Sequence, residues 1–417
     1  MDIATKVKEQ ARKAREASRI LAKVEVGQRN HALLRMAEYI RENISEVAEA
    51  NQADLKEAQE NGLNPHLLNR LVFDRPKIEA RAHAIEAIAA LPDPLGEADF
   101  LKRRPSGLEV KRVRTPLGVV AIVFEARPHV VANVGAVCLK AGNASLLRGG
   151  SEALRSITAL GQLWQRALQD SSLPEESVQV IATADRDAVN TLITLEDDID
   201  VLIPRGGKGL IKLIKEKASI PIIKHYEGIC HVYLDQAARE DIAVSVTHNS
   251  KLLMPEVCNA AETLLVHQQA AHRLLPPVAE ALIKEGVTLK GCPRSREIVM
   301  GMEEATEDDW RTEYLDLILS VKIVDTLEDA IAHINNYGSH HTDVIVSSDY
   351  DAIKQFTREV DSGVVLSNAS TMFNDGGELG MGAEVGISTD KLQARGPVGI
   401  KELTSYKYIV EGQGHIM

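Results

Sequence analysis

No stretch of this 417-residue chain runs to eighteen apolar residues, so no transmembrane helix is expected. The opening segment spaces Ile3, Val7, Ala11, Ala14 and Leu21 as a helical stripe among many charges. It lacks the apolar centre of a secretory signal, and a cytoplasmic protein is expected. Basic charge is in deficit. Forty-eight Lys and Arg stand against 60 Asp and Glu, a net charge of −12. That argues against nucleic acid or an anionic membrane as a partner, since either calls for a basic face. Cysteine is sparse: Cys138, Cys230, Cys258 and Cys292 are scattered, with no two at metal-ligand spacing. Such usage suits a reducing cytosol, where thiols are core filler or nucleophiles, and no metal site is expected. There is no internal repeat and no low-complexity tract.

The content that is present, 44% hydrophobic and 26% charged, is that of a soluble globular protein, and the length calls for two or three domains. Residues 1–91 read as helices, with one stripe at Leu33, Met36, Ala37, Ile40, Ile44 and Val47 and another at Ile78, Ala82, Ile85 and Ile88. LPDPLGEAD (91–99) is a break rich in Pro and Gly. The pattern then becomes short apolar runs between amphipathic segments: VVAIVF (119–124), SLLR (145–148), VQVI (178–181), DVLIP (200–204) and IPII (220–223). A second series follows, with HVYL, TLLV (263–266), VTLK (287–290), LSVKIV (319–324), DVIV (343–346) and GVVL (363–366). Such alternation indicates parallel βα units. The fold class is therefore α/β, two doubly wound domains, with a small β element from 108–114 and 405–410.

The usual dinucleotide fingerprint is missing, since the glycines of PRGGKGLI (204–211) fall in the wrong pattern. Its strand-to-helix turn still lets backbone N–H groups approach a phosphate, with Arg205 and Lys208 adding charge. LLRGGSEA (146–153) is a second such turn, where Arg148 and Ser151 flank two glycines. Both could be plain βα turns. Together they could grip one dinucleotide, and the extra cation would suit a 2′-phosphate, hence NADP. Among the thiols, Cys138 is expected in the core, Cys230 at a buried strand entry and Cys292 as an inert surface group. Cys258, in LMPEVCNAAETLLV, follows a Pro-containing loop at the start of a short helical or irregular segment. A helix amino end there would lower its pKa, as a nucleophile needs.

HYEGICH (225–231) carries H-x-E without the downstream P-C-x-x-C of a zinc deaminase. The adjacent histidines of SHHTD (339–343) would point to opposite faces of a strand, so a loop role in substrate contact is expected there in place of a metal. The glycine-rich run 376–399, holding Glu384 and Arg395, reads as a closing loop over an active site.

PLGVVAIVFEARPHVVANVGAVCLKAGNASLLRGGSEA (116–153) resembles the first βαβ segment of the aldehyde dehydrogenase superfamily. VDTLEDAIAHINNYGSHHTDVI (324–345), IPRGG (203–207), CNAAETLLVH (258–267) and ELGMGAEVGISTDKLQARGPVG (378–399) resemble its γ-glutamyl phosphate reductase family. The resemblance covers essentially the whole chain. It implies an aldehyde-dehydrogenase-like fold, with residues 1–99 and 115–228 as an NADP-binding domain and 229–396 as a catalytic domain. It further implies that 100–114 and 397–417 form a β-strand oligomerisation arm, making a dimer or higher homo-oligomer. The implied activity is NADPH-dependent reduction of L-glutamyl 5-phosphate to L-glutamate 5-semialdehyde and phosphate, the second step of proline biosynthesis. A CoA-acylating aldehyde dehydrogenase is the alternative, and glutamate 5-kinase the implied channelling partner.

By the same resemblance Cys258 falls on the nucleophile, and Arg148, Ser151, Arg205, Gly206 and Gly207 on cofactor-binding turns. Glu313 falls where a glutamate holds the nicotinamide ribose, and Asn368 on a strand end lining the substrate tunnel. Arg127 and Arg395 are expected to take the phosphate and the α-carboxylate, because guanidinium binds both in bidentate fashion. Two departures from hydrolytic relatives stand out. His225 occupies the place of their water-activating glutamate, and Ala126 that of their oxyanion asparagine. Loss of the base suits a thioester that must meet hydride before water. The oxyanion donors are left open, with the Cys258 N–H as one candidate.

Overall fold

The computed structural model describes residues 2–224 and 227–417. His225 lies outside them. The chain divides into two compact units, of which the first gathers Met1–Lys224, Gly380–Gly386 and Val398–Met417. It opens with five helices, α1 (Ile3–Leu21), α2 (Val26–Glu42), α3 (Ile44–Glu60), α4 (Pro65–Leu71) and α5 (Arg75–Ala90). Asp2 caps α1 by accepting the Thr5 N–H at 2.7 Å, and Asp74 caps α5 through Lys77. Two strands follow, β1 (Ala98–Arg103) and β2 (Glu109–Pro116). The βα series is then β3 (Val119–Phe124), α6 (His129–Lys140), β4 (Ala144–Arg148), α7 (Leu154–Asp170), β5 (Val178–Val180), α8 (Asp187–Leu192), β6 (Val201–Arg205) and α9 (Lys208–Lys217).

The parallel sheet has the order β5-β4-β3-β6, with every residue of β3 and β4 buried. Apolar runs of this kind need cover on both faces. Helix α7 supplies part of it through Ile157, Leu160, Trp164 and Leu168. Gly135 of α6 permits that approach, since a Cβ there would lie 2.9 Å from Trp164 Nε1. The expected strand at IPII shrinks to a single bridge between Leu202 and Ile222, because Pro221 has no N–H for a ladder. The carboxyl-terminal strand Thr404–Glu411 pairs antiparallel with β2, which pairs in turn with β1. Alternation leaves Tyr406, Tyr408 and Val410 exposed on one face of this three-stranded sheet.

The second unit gathers His225–Leu379 and Ile387–Pro397. Its elements are β7 (Cys230–Leu234), α10 (Glu240–Leu252), β8 (Ala261–His267), α11 (Gln268–Lys284), β9 (Thr288–Gly291), α12 (Pro293–Ile298), β10 (Glu303–Glu304) and β11 (Ile318–Val324). They continue with α13 (Leu327–Tyr337), β12 (Thr342–Val346), α14 (Tyr350–Glu359), β13 (Val364–Ser367) and the short pair β14 (Ile387–Ser388) and β15 (Gly396–Pro397). Seven parallel strands run in the order β10-β9-β11-β8-β7-β12-β13. Strand alternation sends Leu264, Val266, Val344 and Val346 to one core with α11, and Tyr233, Leu265 and Ile345 to another with α13 and α14. Both units are thus doubly wound. No helix among the described residues is long and apolar enough to cross a membrane.

Candidate active site

Cys258 lies in the second unit, half-buried on the loop that joins α10 to β8. The segment is a run of turns, and no helix begins at the thiol. The expected helix-end stabilisation of a thiolate therefore does not apply. What the structure supplies is a clamp. Lys251, in the last turn of α10, and Glu262, at the start of β8, form a fully buried ion pair of 2.7 Å across the two ends of this loop. Burial pushes the Glu262 carboxyl up, to about 7, with the Lys251 ammonium as the main opposing influence. Burial likewise lowers Lys251, with Glu262 opposing it.

The loop is also held from below. Cys230 Sγ donates to the Cys258 carbonyl at 3.2 Å, and Asn259 Nδ2 donates to the Asn374 carbonyl at 3.2 Å. Gly228 passes so close that a Cβ on it would lie 1.7 Å from the Cys258 carbonyl oxygen, so only glycine fits. Glu313 accepts the Gly228 N–H at 2.7 Å. It therefore stands in the wall of the Cys258 loop, a contact that sequence spacing does not reveal.

The other three thiols differ from Cys258 by burial. Cys138 is core, and burial alone pushes its thiol up. Cys230 opens β7 and is fully buried; burial and then the Asp343 carboxylate raise it. Cys292 was expected at the surface, yet it is 8% exposed and accepts the Ile323 N–H. Its turn after β9 packs inward because Trp310, Val321 and Leu289 form the core around it.

In the first unit, Arg148 ends β4 and is 8% exposed. One of its terminal nitrogens reaches the Asp185 carbonyl at 3.4 Å, while its Nε is buried without a partner. Burial lowers its pKa. Ser151 starts a short 3-10 turn and is exposed. Arg205 ends β6, its Nε also buried without a partner, and a Cβ on Gly386 would come within 2.6 Å of its guanidinium. Gly206 and Gly207 lead into α9. The Gly207 N–H is already taken, by the Glu125 carboxylate at 2.7 Å. An anion at this helix end must therefore displace Glu125, which the glycine pattern did not disclose. The side chain of Lys208 lies outside the described residues. Ala126 is buried at φ 43°, with its N–H on Glu152 at 2.6 Å. Arg127 follows it, half-buried.

Two expected substrate residues of the second unit are engaged within their own fold. Asn368, at φ 52°, accepts the Ser347 N–H and donates to the Ser347 carbonyl, an amide clamp between β12 and β13. Arg395 pairs with Asp361 at 2.9 Å, and its Nε is buried without a partner. In SHHTD, His341 is buried at the entry to β12, and His340 meets the Asp361 carbonyl at 2.6 Å. Asp343 instead holds His231 in a fully buried pair at 2.8 Å. The glycine-rich run carries β14 and β15; beside them the Val385 N–H donates to the Val398 carbonyl and the Val398 N–H to the Gly386 carbonyl.

Comparison with known proteins bears on all of this. The sequence model described as the aldehyde dehydrogenase family matches residues 3–301. The gamma-glutamyl phosphate reductase of Moorella thermoacetica is 48% identical over 416 residues, covering 100% of each chain. That of Carboxydothermus hydrogenoformans is 48% identical over 97% of this chain and 98% of its own. The crystal structure of gamma-glutamyl phosphate reductase from Thermotoga maritima superposes with a TM-score of 0.96 at 42% identity, covering 99% of each chain. An acetylating aldehyde dehydrogenase from Geobacillus thermoglucosidasius shares the fold at 19% identity, with a TM-score of 0.72 over 100% of this chain and 98% of its own.

Proposed function

We propose, from the premise that the chain belongs to the aldehyde dehydrogenase family and within it to the gamma-glutamyl phosphate reductases, that it reduces L-glutamyl 5-phosphate to L-glutamate 5-semialdehyde and phosphate. The observation that carries this reading is Cys258, the one thiol of four that is not buried, on a loop clamped at both ends. Its thiolate attacks the acyl carbon of the substrate. A carbon–sulfur bond forms, the carbon–oxygen bond to phosphate breaks, and phosphate leaves. The clamp, the Cys230 thiol and the Gly228 backbone keep the nucleophile in place. The Cys258 N–H is the oxyanion donor its own backbone can offer.

The first unit fits a phosphate-bearing cofactor, because the Nε atoms of Arg148 and Arg205 are buried without partners beside glycine turns. Arg148, Ser151, Arg205, Gly206 and Gly207 would hold NADP, and Glu313 its nicotinamide ribose. NADPH, when bound, supplies the hydride that reduces the thioester. Cys258 then departs as the thiolate as the aldehyde forms. Arg127 is the guanidinium we assign to the substrate, with Asn368 and Arg395 as further contacts.

The exposed Tyr406, Tyr408 and Val410 face suits the arm of a homo-oligomer. A cytoplasmic location and glutamate 5-kinase as a channelling partner belong to the same reading. The test is the reverse reaction, in which semialdehyde, phosphate and NADP should yield NADPH. Reduction of NADP with CoA in place of phosphate would move the assignment to a CoA-acylating enzyme.

A further inference from the structure

The nucleophile has a second sulfur beneath its loop. Cys230 opens β7, Cys258 precedes β8, and the two strands run parallel with Cys230 level with Ala261. The chain from Gly228 to Cys230 passes against the Cys258 loop, since a Cβ on Gly228 would fall 2.6 Å from the Cys258 Cα. Cys230 Sγ, fully buried, reaches the Cys258 carbonyl at 3.2 Å. Holding that carbonyl does not call for sulfur, because a serine hydroxyl is the stronger donor and a thiol a weak one. The other two cysteines lie on other elements: Cys138 in α6, and Cys292 after β9, which β11 separates from β8.

The buried thiol also has a base beside it. His341 Nδ1 lies 3.6 Å from Cys230 Sγ and 2.7 Å from the Thr342 hydroxyl. Asn374 Nδ2 donates to that hydroxyl at 2.6 Å. The hydroxyl proton is therefore turned to His341, and Nδ1 is an acceptor. His341, Thr342 and Asn374 are all fully buried. Cys258 is half-buried, so it is the sulfur of the pair that a small oxidant meets first. Burial raises the Cys230 thiol and keeps it protonated and inert towards solvent species.

We propose that Cys230 is a resolving thiol, which captures Cys258 as an intramolecular disulfide when the nucleophile is oxidised by a hydroperoxide. This rests on the proposed reaction only for the identity of Cys258 as the reactive thiol. The Cys258 thiolate attacks hydrogen peroxide; a sulfur–oxygen bond forms, the oxygen–oxygen bond breaks, and hydroxide leaves. Cys258 is then a sulfenic acid, oxidised by two electrons that the peroxide has gained. Cys230 sulfur attacks the sulfenic sulfur as His341 takes the thiol proton. A sulfur–sulfur bond forms, the sulfur–oxygen bond breaks, and the proton leaves with that oxygen as water. Capture stops Cys258 short of the sulfinic acid, which thiols do not reduce. The disulfide holds the enzyme inactive until a thiol or dithiol opens it by exchange.

The test is a non-reducing peptide map of the full chain after limiting hydrogen peroxide, without substrate. The wild type should yield the Cys230 and Cys258 peptides joined, two hydrogens lighter than their sum, with the subunit still monomeric by mass. Activity should fall in step with this link, and dithiothreitol should restore nearly all of it. In Cys230→Ser, measured against its own starting activity, Cys258 should go on to the sulfinic acid, and dithiothreitol should restore little. The link is read on the wild type, so the proposal does not depend on how well the variant folds. A wild-type map with Cys258 oxidised and Cys230 still a thiol, or with the link running between subunits, overturns the proposal. Either result leaves the reaction standing, because a glutamyl adduct on Cys258 is read separately, without peroxide. A Cys258 that takes neither peroxide nor a glutamyl group overturns both.

Discussion

Replacing Lys251 with methionine tests the clamp under the nucleophile. The ammonium is fully buried, 2.7 Å from the equally buried Glu262, whose other oxygen accepts the Leu315 N–H at 3.0 Å. Methionine fills much of the volume of the lysine stem, so little cavity opens. What remains is a carboxyl group without its counter-charge in a dry site. Removing one partner of a buried pair costs roughly 3–5 kcal/mol, most of it from the stranded partner. For a unit of this size each kcal/mol shifts the midpoint by about 2–4 °C, so a fall of about 6–20 °C is expected. Differential scanning fluorimetry on the wild type, Lys251→Met and the double variant Lys251→Met with Glu262→Leu measures it. The double variant should recover most of the stability, since an apolar pair replaces an ionic one at little cost. It should nevertheless alkylate Cys258 with altered kinetics, because the two ends of the loop are no longer tied. A Lys251→Met midpoint within 2 °C of wild type, or a double variant no better than the single, would refute the reasoning.

Gly228→Ala should fold yet lose most turnover, because its methyl would meet the Cys258 carbonyl at 1.7 Å and must push the loop aside; full activity would mean that the loop position is unimportant. Arg148→Met should weaken NADPH by about 10- to 150-fold and NADH far less, measured by fluorescence titration. Equal losses would place the 2′-phosphate contact elsewhere. At Asp309 burial would raise the carboxyl, but Lys290, Thr306 and Tyr314 outweigh it and hold it well below the usual range. A lowered folded pKa gives stability that is present above the ordinary carboxylate value and lost as pH falls below about 4. Asp309→Asn should therefore flatten the acid limb of a urea-denaturation series, and an unchanged limb would exclude this carboxylate as its source.

Much of the fold is legible in the sequence because its strands are apolar throughout. VVAIVF reads as a buried strand, and β3 spans those same residues. The elements that escape are those whose pairing depends on distant partners. β1 falls in ADFLKR beside the Pro- and Gly-rich break, and among the described residues its only neighbour is β2. The strands β14 and β15 have two residues each, too few for any period. At the candidate site, Cys258 stands out by its loop and its family motif. The Lys251–Glu262 clamp does not, since nothing local marks either residue as buried. Glu125 escapes for a related reason: its place on the Gly207 N–H comes from the adjacency of β3 and β6 across 82 positions of sequence. Cys292 escapes because burial of a turn is set by the core beneath it.

The account stands or falls on an acyl group carried by Cys258. Glutamyl phosphate supplied without NADPH should load that residue, and mass spectrometry of its peptide should show a glutamyl adduct that persists until NADPH is added. No adduct should form on Cys138, Cys230 or Cys292, nor on the Cys258→Ala enzyme. A folded Cys258→Ala variant that keeps more than a few per cent of turnover, or an adduct that the unaltered enzyme rapidly releases as free glutamate, would contradict it.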